Sequence, residues 1–477
     1  MYKDTKKRGS RSRLFRSKSS PVSKLAKDCA HCYSTAMIVM KFGGSSVANA
    51  ERIRHVASII KAYQKSRPVV VLSAMGDTTD HLLEAADKAL GGVVSMEQIA
   101  SLHFETLREL GLPSGTIEDL INELTQLLTG ISMIKELTKR TRDYLVSFGE
   151  RMSVRIAAAY LTKEGIPALA YDAWDIGIVS DGNFMSAELL DEVWQSIPEH
   201  LHAYASGKDG RIPVVTGFIA KDKSGNITTL GRGGSDLTAT IIGAATGAEE
   251  IQTWKDVDGI MTTDPRICPD AKPVREVTYE EAQELAFFGA QVLHPRSMLP
   301  CRRTATPVRV KNSYNIESPG SIIVETHNGK ASPVCAITGV KHVTLIDIAS
   351  TRMLGAVGFL AHIFNQFLKW NISIDVIATS EVSVSLTVNT KTDLSGLIRD
   401  LSDVAEVRTR SGKAIVSIIC DALHSSAILA AGFKALSDEN INVQMISQGA
   451  SKVNISMIVD DEEADKTVRV LHKAYFA

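Results

Sequence analysis

The stretch Lys41-Phe42-Gly43-Gly44-Ser45-Ser46, taken with Leu230-Gly231-Arg232-Gly233-Gly234-Ser235-Asp236, decides how this chain reads. Each sets consecutive glycines beside a fixed charge, between an apolar run and a helical pattern. Such loops present backbone N–H groups and a helix N-terminus to phosphate. Two of them in one domain point to phosphoryl transfer with a small acidic co-substrate. The first is not a Walker A sequence, because Lys41 precedes its glycines. An ammonium at that strand end can neutralise transferring phosphate oxygens while Gly43 and Gly44 let the backbone come close. Arg232 offers a planar fork to a carboxylate. Ser235 and Asp236 open the following helix, where Asp236 reads equally well as an N-cap.

Outward from the first loop, Met37 to Met40 form a short apolar strand, and Ile53, Val56, Ile59, Ile60 and Tyr63 recur at helical spacing. Further buried strands are expected at 69–72, 213–216, 251–254 and 308–310. Continuous apolar runs separated by helices imply an α/β fold with a mainly parallel sheet covered on both faces. Helical patterns also fill 97–161, enough for a lobe or lid. Within them Glu150, preceded by Gly149, reads as a carboxylate at a helix start, placed to complement the helix dipole or to bind a substrate ammonium. Lys255 and Asp256 lie just past a strand end, where open α/β sheets bind ligands; a solvated turn is the alternative.

With 44% hydrophobic residues over 477 positions there is room for two or three domains. The net charge of −1 hides an asymmetry: residues 1–36 hold ten Lys/Arg against Asp4 and Asp28, a net +8, which leaves −9 on the rest. That body has no basic footprint for nucleic acid, and no stretch is apolar enough to span a membrane. The basic, Ser-rich, acid-poor segment 1–36 lacks an apolar h-region and resembles an organelle transit peptide. Six scattered cysteines make no disulfide framework and fit a reducing compartment; Cys29 and Cys32 form a C-x-x-C with no second pair. The histidines show no metal-ligand spacing, and neither a G-x-S-x-G elbow nor a G-x-G-x-x-G fingerprint is present.

Beyond a weak linker at 326–336, the chain repeats itself. Residues 359–377 align with 428–446 at an offset of 69: Leu360 with Leu429, Phe364 with Phe433, Asn371-Ile372 with Asn440-Ile441. Each copy reads strand, helix, strand, strand, helix. Copies this small are expected to join their sheets or cover one another's faces. A duplicated module without catalytic motifs implies ligand sensing.

KFGGSSV from Lys41, VLSAMG from Val71, RTRDYLVSFGE from Arg140, VTGF from Val215, TTLGRGGSDLTAT from Thr228, WKDVDGI from Trp254 and FGAQVLHP from Phe288 stand in an order that resembles the aspartate kinases of the amino-acid kinase family. STRMLGAVGFLA from Ser350 and the matching second copy resemble that family's paired, ferredoxin-like α+β ACT domains. The likeness runs from about residue 38 onward and is closest to the monofunctional, lysine-sensitive plastid enzymes of plants, without the homoserine dehydrogenase domain of bifunctional relatives. With the basic transit-like segment (1–36) and the linker (326–336) read from composition, the resemblance implies a kinase domain (37–325) and ACT domains at 337–405 and 413–477. It implies MgATP and L-aspartate as substrates, with no tightly bound cofactor and no protein ligand assigned to Mg2+. Lys41 and Asp236 would be catalytic with Arg232. Ser45, Thr79, Glu150, Arg232 and Ser235 would bind aspartate, and Gly43, Gly44, Ser73, Lys255, Asp256 and Arg266 would meet ATP. Gln291 stands where many relatives carry lysine. Inhibitory L-lysine would sit at an ACT interface on Met353, Ala356, Gly358, Leu360, Ser373, Ile374, Asp375, Ser380 and Glu381. Asp375 and Glu381 would receive its ammonium groups, while Gln444 replaces the aspartate in the second copy. S-adenosylmethionine, an effector of some plant relatives, is left open. A homodimer or dimer of dimers in the plastid stroma is expected; a cytoplasmic protein is the alternative.

Overall fold

A computed structural model describes residues 37–288, 293–327, 332–350, 358–420, 424–449 and 453–477. The basic segment 1–36 with its two cysteines, Gln291, Met353, Ala356 and linker residues 328–331 lie outside the described residues.

The apolar runs become an eight-stranded sheet. Its strands are β1 (Ile38–Phe42), β2 (Pro68–Leu72), β3 (Ala168–Tyr171), β5 (Ile212–Thr216), β8 (Glu250–Lys255), β9 (Glu276–Thr278), β10 (Val308–Asn312) and β11 (Ser321–Val324), in the order β3-β5-β2-β1-β8-β10-β11-β9. All pairs from β3 to β10 are parallel, and β11 runs antiparallel to β10. Successive side chains alternate between faces. Met40, Phe42, Val70 and Leu72 join one core with the lobe helices Glu97–Leu110, Glu118–Ile134 and Lys139–Lys163. Val39, Val69 and Val71 join the other with helices Val193–Ala205, Gly234–Thr246 and Tyr279–Phe287. From β1 the chain builds outward through β2 to β5 and then returns to β8 on β1's other side. The carboxyl ends around β1 therefore form the crevice of a topological switch point. A small sheet of β4 (Val179–Ser180), β6 (Ile219–Asp222) and β7 (Ile227–Thr229) was not expected, since its residues form no apolar run.

The repeat forms a second sheet whose copies join edge to edge. Its strands are β12 (Val334–Ala349), β13 (Ile377–Thr379), β14 (Ser383–Asn389), β15 (Glu406–Cys420), β16 (Met445–Ser447) and β17 (Asn454–Asp460), in the order β13-β14-β12-β15-β17-β16. Ser447 Oγ donates to the Ile377 carbonyl at 2.8 Å, so the two edge strands touch. The copies share a helix stop. Asn371 and Asn440 both adopt positive φ (52° and 57°), bonding back to Leu368 and Ser437, while Ile372 and Ile441 bond to Phe367 and Leu436 and bury. Asparagine tolerates this left-handed cap better than most residues.

The strand register crosses the two copies. β12 begins at Val334, inside the expected linker, and its first half, Val334–Val340, pairs with Ile415–Cys420 of the second copy. Its second half pairs with β14 of the first copy and with Glu406–Arg410. The two modules are interleaved, because pairing follows strand adjacency across the repeat.

Candidate active site

Lys41 is the penultimate residue of β1, and Gly43 starts the short turn Gly44–Val47. Gly44 is needed for a close approach: a Cβ there would lie 2.7 Å from the Ala74 carbonyl. The Gly44 carbonyl accepts the Gly76 N–H at 3.0 Å, which pins this loop to the one after β2. The second glycine loop leaves β7, and Gly231 and Gly233 take φ of 72° and 71°. Gly233 is the N-cap of helix Gly234–Thr246, and a Cβ on it would come within 2.4 Å of His294 Cβ. Ser297 Oγ donates to the Gly233 carbonyl at 3.0 Å, and Arg296 donates to the carbonyls of Leu230 and Ala187.

These loops bring the charges together. Lys41 Nζ lies 2.7 Å from Asp236 Oδ1, with both side chains largely covered. Asp236 therefore does not cap its helix; Gly233 holds that position and the carboxylate turns to the lysine. Burial lowers the Lys255 ammonium below the ordinary lysine range; Asp236 and Asp256 oppose this, and Lys41 adds to it. Ser73 Oγ donates to Ser235 Oγ at 3.1 Å, joining the two loops.

Glu150 lies in the middle of helix Lys139–Lys163, not at a helix start. Gly149 is a contact glycine: a Cβ on it would meet Ala74 Cβ at 2.7 Å. The helix thus comes close enough for the Ala74 N–H to donate to Glu150 Oε1 at 3.2 Å. Oε2 is buried and has no hydrogen-bond partner. Burial pushes the carboxyl up to about 8, and the Ala74 N–H offsets part of that rise.

Other expected positions are less enclosed. Thr79 is half-buried in the first turn of helix Thr78–Leu90, Ser45 is exposed on the first loop, and Arg232 and Asp256 are exposed beside the crevice. Arg266 is 89% exposed, and its ion-pair partner is Asp264 at 2.6 Å. Sequence reasoning missed Asp143. It accepts from Met185 N, Thr229 N and Thr229 Oγ1 at 2.8–2.9 Å, which ties the β6–β7 hairpin to the Glu150 helix. Asp143 stands seven residues before Glu150, two turns along one helix face, and that spacing was the available signal. Among the described residues no group of three His, Cys, Asp or Glu could hold a metal ion.

On the second sheet, Asp375 is half-buried and its carboxyl is raised by burial. It lines a cavity of about 450 Å3 with Glu284, Phe288, Ile377, Ser447 and Asn454, at the junction with the first domain. Ser380 and Glu381 are exposed on the β13–β14 turn, Gly358 (φ 90°) is the N-cap of helix Phe359–Lys369, and Ser373 is exposed beside half-buried Ile374.

Two glycine loops at the switch point, with a largely covered lysine–aspartate pair between them, fit the class of ATP-dependent kinases. Residues 36–312 match the model of the amino acid kinase family, and residues 416–475 match an ACT domain. The chain is 50% identical to aspartokinase 1, chloroplastic, of Arabidopsis thaliana over 455 residues, covering 92% of this chain and 80% of that protein. Its fold matches Escherichia coli aspartokinase III in complex with aspartate and ADP (TM-score 0.76, 32% identity, 92% of this chain and all of that one). It matches the same enzyme with lysine and aspartate equally well (TM-score 0.77, 31% identity, 93% of this chain and all of that one). The chain belongs to the aspartokinases of the amino acid kinase family.

Proposed function

We propose that this kinase transfers the γ-phosphate of ATP to the β-carboxylate of L-aspartate, giving 4-phospho-L-aspartate and ADP, at the head of the lysine, threonine and methionine branch. The observation that carries the acceptor is the buried, unpartnered Oε2 of Glu150, whose other oxygen accepts from Ala74, the residue next to Ser73 and its contact with Ser235. A buried carboxylate oxygen without a donor calls for a cation, and a substrate α-ammonium supplies one. The acceptor carboxylate is already a nucleophile, so no general base is needed. One carboxylate oxygen bonds to the γ-phosphorus, the bond to the bridging oxygen breaks, and ADP leaves with that electron pair.

In this reading Lys41 neutralises the charge on the transferring group, and Asp236 holds Lys41 in place. Gly43, Gly44 and Ser73 surround the phosphates. Arg232 clamps a carboxylate of aspartate, with Ser45, Thr79 and Ser235 around it. Lys255, Asp256 and Arg266 face the nucleotide, and Mg2+ arrives with it, held by phosphate oxygens and water. L-lysine inhibits through Asp375 and Glu381 of the first ACT copy, by binding a poorly active arrangement more tightly. The E. coli relative holding lysine and aspartate supports that assignment. Leu360, Phe364 and Leu368, four residues apart and 40%, 37% and 77% exposed, form the apolar stripe on which a second copy docks. The composition of 1–36 and the chloroplastic relatives support a plastid location.

The test is trapping of acyl phosphate with hydroxylamine, using ATP and L-aspartate, with and without L-lysine. Hydroxamate that falls on lysine addition supports both assignments. Hydroxamate with L-glutamate but not L-aspartate overturns the acceptor.

A further inference from the structure

The segment after β8 is held from outside its own domain. His472, on the final helix Ala464–Phe476 of the second repeat, lies buried between Thr262 and Cys268. Its Nε2 is 2.9 Å from Thr262 Oγ1 and its Nδ1 is 3.4 Å from Cys268 Sγ. Thr262 Oγ1 already accepts the Lys272 N–H at 2.9 Å, and the Thr262 carbonyl accepts the Ile337 N–H of β12 at 2.7 Å. Lys272 Nζ in turn donates to the Phe476 carbonyl at 2.8 Å. Ile267 packs into the core of the second repeat. Burial, and after it the nearby Lys272 charge, lowers the His472 imidazole below its ordinary range and so favours the neutral ring, in which one nitrogen donates and the other accepts. Both nitrogens are therefore matched to the loop, one to a hydroxyl and one to a thiol.

We propose that His472 is a positioning residue for the nucleotide: the last helix of the second sheet clamps the segment 256–272, which follows Lys255 at the end of β8 and carries Asp256 and Arg266, and so sets the affinity for ATP. This rests on the reading that the segment faces the nucleotide. Thr262 sits between Asp256 and Arg266, and the clamp grips it at side chain and backbone alike. Release of His472 frees the middle of the segment while leaving β8 and the Lys41–Asp236 pair untouched.

The experiment measures the KM for ATP and for L-aspartate, kcat, and ADP affinity by calorimetry on the full chain and its variants. His472→Leu is expected to raise the KM for ATP and the Kd for ADP about tenfold, the scale of one lost buried hydrogen bond, with the KM for aspartate and kcat within twofold. His472→Gln, which keeps a hydrogen-bonding group towards Thr262, restores most of the affinity. Thr262→Val reproduces the loss from the other side of the contact, and the double variant is no worse than either single one. It also provides the reading if His472→Leu fails to fold. Unchanged ATP and ADP affinity in both folded single variants overturns the inference. Lys255→Met is the control for the underlying reading: if it leaves ADP affinity unchanged, that reading falls and the inference with it. ADP binding needs no acceptor, so failure of the aspartate assignment would be seen separately.

Discussion

Glu150 joins burial to an unfilled acceptor, and that pairing has a measurable proton cost. A carboxyl held near 8 is largely protonated in the free enzyme at pH 7. A bound ammonium favours the ionised form, so aspartate binding at pH 7 is expected to release about one proton. Calorimetry in buffers of different ionisation enthalpy reads that proton directly, and Glu150→Gln should abolish it while raising the KM for aspartate. The same shift makes the free enzyme less stable as pH climbs from the unfolded carboxyl value towards 8, because the folded state holds the extra proton across that window. Lys41→Ala should lower kcat by about 10²–10³-fold, the scale of one lost transition-state donor, with lysine binding intact by calorimetry. The charges at this scale were legible in sequence because Lys41, Arg232 and Asp236 border consecutive glycines. Their partners were not. Nothing in Gly-Ser-Asp distinguishes a capping aspartate from one turned towards a lysine on β1, nearly two hundred residues earlier.

At the scale of elements, glycines carried two meanings that sequence could not separate. Gly149 looked like a helix breaker but is the contact point that admits the Ala74 loop, so Glu150 was placed at a start that does not exist. In sequence Gly233 reads as part of a nest of backbone N–H groups; its φ of 71° and its closeness to His294 make it a steric requirement as well. Gly233→Ala should cost at least about 1–2 kcal/mol from backbone conformation alone, read as a lower Tm together with lost activity. The strands β1, β2, β5, β8 and β10 were legible because both faces are covered and the runs are continuously apolar. The β6–β7 hairpin was not, because Ile219–Asp222 and Ile227–Thr229 are short and form no apolar run. Both repeat helices were legible, down to the matched Asn-Ile stop.

At the scale of the molecule, the exposed stripe Leu360, Phe364 and Leu368 predicts an oligomer. Phe364→Glu with Leu368→Glu should shift light-scattering mass towards the monomer and weaken lysine inhibition while kinase activity remains. Asp375→Ala should raise the lysine concentration needed for inhibition with uninhibited turnover preserved. The repeat announced two modules, but its offset of 69 runs from helix to strand and holds no record of which strand pairs with which. Interleaving became visible only in the register of β12 and β15. That register carries a consequence for how the regulatory half comes apart. Each of its two longest strands is a single beam spanning both copies, and Val334–Val340 reaches its partner only across the whole of the first copy. Neither copy can melt while the other stands. Heating should show the pair leaving in one calorimetric transition, and a protease cut between the copies should release no surviving half.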